Sequence, residues 1–161
     1  MTTYTDIPLT SRVWIYQTNR ELTNEEVLNI NTRSVAFVDQ WTSHNQLMKA
    51  CVKILYNRFL VLLVDEDTAP ASGCGIDKAV HFVQQLEKEF SIVLLDRMQV
   101  AYKLGEKLFA CSLADFENKI QSGAVGEDTI VFNNLINTKA ELEEAWETPL
   151  KKSWHSRMLV S

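Results

Sequence analysis

One apolar run limits the folds open to this chain more than any other feature. Residues 59–64 are six consecutive apolar side chains, a pattern typical of a strand that is buried on both faces. A turn rich in Ala, Pro, Ser and Gly follows at residues 68–75, and an amphipathic pattern then predicts a helix over residues 76–90. Such a junction often binds ligands, because unpaired backbone N–H groups point outward at the start of a helix.

Length and composition predict one α+β domain over residues 1–161 with frayed ends. The chain is 46% hydrophobic and 23% charged, close to the average for globular proteins, and it is long enough to bury a sizeable core. A net charge of -5 without a basic cluster argues against nucleic-acid binding. No apolar run is long enough to span a membrane and the start lacks a secretory pattern, so we expect a cytoplasmic protein.

The order of the predicted elements is strand, helix, strand, strand, helix, strand, which is typical of a ferredoxin-like (split βαβ) fold. Alternating apolar residues indicate the strands, and Thr23 with Glu26 has the pattern of a capping box. The elements are predicted at residues 11–18, 23–43, the hairpin 50–64, 76–90 and 97–103. We therefore expect helices packed on an antiparallel sheet with residues 59–64 at its centre.

Further elements are predicted after the six that make up this fold. A hairpin partner is expected at residues 107–111 and a short strand at 129–132, with C-terminal helices beginning near Ser112 and Thr138. The apolar run 92–95 is a possible additional buried strand, which leaves a three-layer α/β arrangement open.

The turn before the second long helix holds the candidate binding residues. Gly73 and Gly75 allow a positive φ and a close approach of the backbone, and the helix dipole favours a bound anion. The alternative is that these glycines only shape a tight connection. The candidate ligand-binding residues are Ser72, Gly73, Cys74, Gly75, Asp77 and Lys78.

Cys74 is the candidate nucleophile, because a thiol beside a helix N-terminus can have a lowered pKa. A thiol enzyme also needs a base. His44 and His155 are distant from Cys74 in sequence, so only the tertiary fold can bring either of them close to it. His81 lies about two helical turns beyond Cys74, too far for a hydrogen bond to it. The alternative is an inert cysteine packed under the turn.

The metal-binding residue types show no ligand spacing. The three cysteines, Cys51, Cys74 and Cys111, are odd in number and lack CxxC spacing, and the carboxylates of residues 65–67 are typical of a solvated strand end. We therefore expect reduced thiols, no metal and no other cofactor.

Five segments carry a family resemblance: VWIYQTNR at residues 13–20, FVDQWTSH at 37–44, VDEDTAPASGCGIDKAVHFVQQLE at 64–87, DRMQVAY at 96–102 and TPLKKSWH at 148–155. Together they resemble a small uncharacterised family of bacterial proteins, sometimes labelled ABC transporter ATPase. In that family Ser commonly occupies the positions of Gly75 and Ala79. The chain has neither a Walker loop nor an LSGGQ-like signature, so we do not expect an ATPase, and the resemblance implies no other activity.

The leading hypothesis is a cytoplasmic α+β binding or interaction module. It would receive a small polar ligand or a protein partner at residues 72–75 and Asp77. The competing hypothesis is a thiol-dependent enzyme with Cys74 as nucleophile. A third is a protein that acts mainly by assembling, and the sequence leaves the oligomeric state open.

Overall fold

The structure is a computed structural model that describes residues 2–67 and 70–159. It is a mixed α+β protein with antiparallel sheets and several helices. Its chain divides into two compact units, residues 1–95 with 137–140 and residues 96–136 with 141–161. The first two residues of the predicted turn 68–75 lie outside the described residues.

The first unit is built on a three-stranded antiparallel sheet. Its central strand β5 (Phe59–Asp65) pairs with β1 (Arg12–Gln17) on one side and with β4 (Lys49–Leu55) on the other. Every residue of β5 is buried, which confirms that the apolar run is a central strand. Tyr56 and Asn57, both with positive φ, form the turn between β4 and β5.

Two helices, α1 (Asn24–Gln40) and α2 (Gly73–Phe90), share one apolar core with this sheet. The capping box of Thr23 and Glu26 is present at the start of α1. The core includes Tyr16, Ile30, Trp41, Ala50, Leu60, Leu62, Val64, Phe82, Val83 and Leu86. The core residues that β5 contributes are every second residue, Leu60, Leu62 and Val64, and such residues point to one face of a sheet. Both helices therefore cover the same face.

A small hairpin follows α1 and was not predicted. It consists of β2 (Thr42–Ser43) and β3 (Gln46–Leu47), joined by His44 (φ 52°) and Asn45 (φ 66°). This hairpin ends α1 at Gln40, a few residues before the predicted end.

The second unit contains a four-stranded antiparallel sheet in the order β7-β6-β8-β9. Its strands are β6 (Gln99–Leu104), β7 (Lys107–Ser112), β8 (Ile130–Phe132) and β9 (Glu147–Pro149). The helix α3 (Leu113–Gln121) begins after its cap Ser112, as predicted, and α4 (Lys139–Glu144) spans the boundary between the units. The apolar core of the second unit includes Val100, Tyr102, Phe116, Val125, Val131 and Leu150.

Three short 3₁₀ segments complete the described elements, at Tyr4–Asp6, Leu150–Lys152 and Trp154–Leu159. Among the helices of residues 2–67 and 70–159, none combines the length and the apolar character that a membrane span requires.

The strand predicted at residues 97–103 forms, but it lies in the four-stranded sheet of the second unit. As β6 it pairs with β7 and β8. In the first sheet, residues 137–139 lie beside β1: the Val13 N–H donates to the Asn137 carbonyl at 2.9 Å, and the Lys139 N–H donates to the Ser11 carbonyl at 2.9 Å.

The possible strand at residues 92–95 does not form. The N–H groups of Leu94 and Leu95 donate to the Glu87 carboxylate at 2.7 and 3.1 Å, and the Ile92 N–H donates to the Glu87 carbonyl. Because these amides are used to close the end of α2, they are not available for a strand ladder.

Candidate functional site

The start of α2 is set by Ser72. Its side chain accepts from the Gly75 N–H at 3.5 Å, so the helix begins at Gly73, three residues earlier than the sequence indicated. Gly73 and Gly75 are therefore helical. Neither glycine uses the positive φ that its residue type allows, since a side-chain cap, rather than a left-handed turn, makes the transition into the helix.

The hairpin β2–β3 packs against this first turn. Ser43 is buried, its hydroxyl contacts the Ser72 hydroxyl, and it accepts from the Ser72 N–H at 3.3 Å. A Cβ added at Gly75 would lie 3.3 Å from the Ser43 Cβ, so a side chain at this position would require the two segments to move apart by a few tenths of an ångström. In addition, the Trp41 indole N–H donates to the Gly75 carbonyl at 2.9 Å.

The outer side of the same turn is open. Gly73 and Cys74 are exposed, and in the part of the chain that the structure describes their N–H groups have no hydrogen-bond partner. The first turn of a helix carries partial positive charge. This turn therefore presents two free amide donors and one accessible thiol.

These groups lie at one end of a shallow groove of about 830 Å³ between α1 and α2. Three aromatic side chains line it, Phe37, Trp41 and Phe82. The Phe37 and Phe82 rings are stacked, with centroids 4.3 Å apart and planes 3° apart. The polar lining residues are Gln40, Asp77, Lys78, His81 and Gln85. Phe37 is partly exposed, whereas Trp41 and Phe82 are buried beneath the groove, so the groove combines one accessible aromatic ring with polar groups around it.

Two of the polar groups are engaged with the protein itself. The Lys78 ammonium donates to the Thr42 carbonyl at 3.2 Å and contacts the Thr42 hydroxyl at 3.0 Å. His81 contacts the Gln85 amide at 3.3 Å. Lys78 therefore points toward the hairpin, and Asp77 is the exposed charge beside the first turn.

The candidate bases do not form a dyad with Cys74. His44 is exposed at the tip of the β2–β3 hairpin, next to Ser43, and no hydrogen bond joins it to Cys74 within residues 2–67 and 70–159. His155 belongs to the second unit, where it is buried and its Nδ1 lies 2.6 Å from the Ser153 hydroxyl. Burial lowers the pKa of His155 to about 4.

The other thiols differ from Cys74 in exposure. Cys51 is buried and Cys111 is partly buried, and burial raises the pKa of both thiols.

Over the described ranges, no three His, Cys, Asp or Glu side chains lie close enough together to hold a metal ion. Glu66 accepts from the Ala71 N–H at 3.1 Å, and Asp65 accepts from the Asp67 N–H at 3.0 Å. These carboxylates therefore shape the chain after β5.

Sequence reasoning missed the aromatic part of the site. Phe37 on α1 and Trp41 just after it pack against the apolar core of the first unit, and both also border the groove. Ser43 was also missed, since its role depends on a hairpin with a weak sequence signal. The Phe–x–x–x–Trp spacing just before a short polar turn was the available indication.

Comparisons with protein-family models, with curated proteins and with solved structures gave no match to this chain. The resemblance to a small bacterial family stays a prediction.

Proposed function

We propose that this protein is a binding or interaction module whose ligand occupies the groove at the start of α2. The observation that carries the proposal is that two free amides and the partly exposed Phe37 ring share one groove. A small polar ligand would place an anionic or carbonyl oxygen on the amides of Gly73 and Cys74 and a flat body against the partly exposed Phe37 ring. A partner chain with the same chemistry is the alternative occupant.

The first test is a thermal-shift screen of anions, nucleotides and metabolites. A ligand that binds the folded protein raises its melting temperature by an amount that grows with the logarithm of its concentration relative to Kd. If no compound does so well above plausible Kd values, small-molecule binding loses its support.

Gly73 offers a matched pair of variants for any ligand found. Pro is tolerated at the first position of a helix, and the Ser72 backbone (φ -73°, ψ 173°) is compatible with a following Pro. Gly73→Pro thus deletes one exposed amide, whereas Gly73→Ala keeps it. We expect about tenfold weaker binding for Gly73→Pro and little change for Gly73→Ala. Equal affinity of the two variants would place the ligand elsewhere.

A thiol-dependent enzyme is the second candidate, favoured by the exposure of Cys74. Alkylation followed for each cysteine by mass spectrometry across a pH series tests it, with Cys51 and Cys111 as internal controls. An active nucleophile at Cys74 requires an apparent pKa clearly below ~8.5. A value at or above that level removes the enzyme hypothesis and leaves the binding module.

We further infer a ferredoxin-like arrangement for the first unit. Its support is the sheet order β1-β5-β4, with α1 after β1 and α2 after β5 on one face. Residues 137–139 then stand beside β1, where the fourth strand of that fold is expected. An experimental structure with another strand order would refute it.

We also propose a cytoplasmic location. Recovery of the protein from the membrane fraction or the secreted fraction of cells would contradict it.

A further inference from the structure

The strand β7 forms an open edge of the sheet in the second unit. It is the first strand in the order β7-β6-β8-β9, so it pairs with a neighbour on one side only. Lys107 is exposed and residues 108–112 are partly exposed. Proteins usually block such an edge with proline, charges or a covering segment. The other outer strand, β9, ends in Pro149, whereas β7 contains no proline and no charge after Lys107.

The hydrogen bonds between β6 and β7 show which backbone groups of β7 point outward. The Leu113 N–H donates to the Met98 carbonyl at 2.9 Å and so continues the ladder between these strands. Because the direction of the backbone groups alternates along a strand, the odd-numbered residues of β7 bond to β6, and the N–H and C=O groups of Leu108 and Ala110 point to the open side. In the described part of the chain, these outward groups form no hydrogen bond.

This edge is complementary to a second copy of itself. Two β7 strands can pair antiparallel with Phe109 opposite Phe109 of the partner subunit. Leu108 then lies opposite Ala110 of the partner subunit, and the reverse holds across the twofold axis. Residues with outward backbone groups therefore face each other, and each such pair can exchange both of its N–H···O bonds. The pairing satisfies backbone groups that have no partner within the described part of one chain.

Phe109 adds an apolar contact on the axis. Its side chain is partly exposed, and its ring stacks on Tyr102 with centroids 5.6 Å apart and planes 20° apart. In this register Phe109 belongs to a non-hydrogen-bonded pair, in which opposite Cβ atoms are about 4.5–5.5 Å apart. The Phe109 rings of the two copies would therefore meet across the axis, a contact that aromatic pairs favour.

The charges at the two ends of β7 are complementary in the same register. Lys107 lies opposite Cys111 of the partner subunit, and both side chains are on the face that α3 covers. Burial raises the pKa of the Cys111 thiol, and the nearby Asp115 carboxylate in the first turn of α3 raises it further. Lys119 is also near this thiol, but it forms a hydrogen bond with the Tyr102 hydroxyl. Lys107 can therefore approach Asp115 of the partner subunit, once on each side of the axis.

We propose that β7 is a homodimer interface, at which two copies of this chain join their four-stranded sheets into one continuous sheet. The occupant is a second copy because the edge satisfies its own backbone groups and brings Lys107 to Asp115 of the partner subunit at two symmetric places. The surface belongs to the second unit, and the inference does not depend on the groove at α2, which belongs to the first.

Sedimentation equilibrium of the full chain tests the proposal. We expect a reversible monomer–dimer equilibrium in a concentration series up to about 0.5 mM. Ala110→Pro removes an outward N–H without breaking a bond to β6, whereas Ala110→Ser keeps it. The Pro variant should dimerise at least about tenfold more weakly and the Ser variant about as well as wild type. A wild-type chain that stays monomeric, or a folded Pro variant that dimerises like wild type, would overturn the proposal.

Charge reversal tests the register without changing the backbone. Lys107→Glu and Asp115→Lys should each weaken the dimer about threefold or more, because like charges then meet across the interface, and the double variant should recover the wild-type affinity within about threefold. Glu127→Lys, an exposed site outside β7 and α3, controls for the change in net charge and should leave the dimer unchanged. Melting temperatures identify any variant that is not folded. Single variants that dimerise like wild type, or a double variant that does not recover, would overturn the proposal.

Discussion

Lys139 is a buried lysine whose ammonium group is held by backbone and aromatic partners. It donates to the carbonyls of Tyr4 at 2.8 Å and Ile7 at 2.7 Å, and it lies 4.1 Å from the centroid of the Tyr4 ring. Buried charges are stable only when such partners compensate for lost hydration. Lys139 therefore fixes residues 4–7 to the rest of the first unit.

We expect Lys139→Met to lower the free energy of unfolding by about 2–4 kcal/mol, since one buried and one partly buried carbonyl lose their donor. Urea denaturation measures this loss. Lys53→Met is the matched control, because Lys53 contacts the same Tyr4 ring but is exposed, and it should change stability by less than about 1 kcal/mol. Similar losses in the two variants would show that Lys139 has no special role.

His155 gives the protein a pH-dependent stability. Burial lowers its pKa to about 4, below the ordinary value of 6.5, with a smaller effect from Arg157. Because the unfolded chain binds the proton first, the contribution is complete above pH 6.5 and is lost as the pH falls toward 4. We expect a loss of up to about 2 kcal/mol between about pH 7 and pH 5.

The comparison variant is His155→Gln, which cannot take up a proton in this range. The difference in the free energy of unfolding between wild type and variant should shrink as the pH falls. A difference that stays constant from neutral to mildly acidic pH would mean that His155 titrates normally in the folded protein.

At the scale of elements, local signals in the sequence were reliable. The capping patterns at Thr23 and Ser112 marked true helix starts, because each cap bonds an amide three residues away. The first turn of α2 was harder to place. Its cap, Ser72, is held by Ser43 from a hairpin 29 residues earlier, a contact that no local pattern encodes.

This packing predicts opposite effects at two glycines of one helical turn. A Cβ at Gly73 meets no atom within 4 Å, so Gly73→Ala should raise the free energy of unfolding by up to about 1 kcal/mol. A Cβ at Gly75 comes within 3.3 Å of Ser43, so Gly75→Ala should lower it by about 1–2 kcal/mol. Urea denaturation of both variants decides the matter, and equal effects would contradict the observed contact with the hairpin.

At the scale of the whole molecule, most elements and the two hairpins 50–64 and 97–111 were predictable, but the sheet that each strand joins was not. Residues 99–104 form a strand, and alternation alone cannot tell which sheet a strand joins. The segment beside β1 comes from residues 137–139, and within it the Lys139 ammonium donates to carbonyls 132 and 135 residues earlier in the chain. The candidate site shows the same limit, since its thiol and amides were predicted and its aromatic lining was not.

The central claim is that a ligand or partner occupies the groove at the start of α2, and the Trp41 indole N–H is its most direct reporter. This group donates to the Gly75 carbonyl and its ring lines the groove. Amide NMR titration with the best compound from the thermal-shift screen should move the Trp41 indole signal together with the Gly73 and Cys74 amides, with one common Kd. Saturable binding that leaves these three signals unmoved would contradict the account.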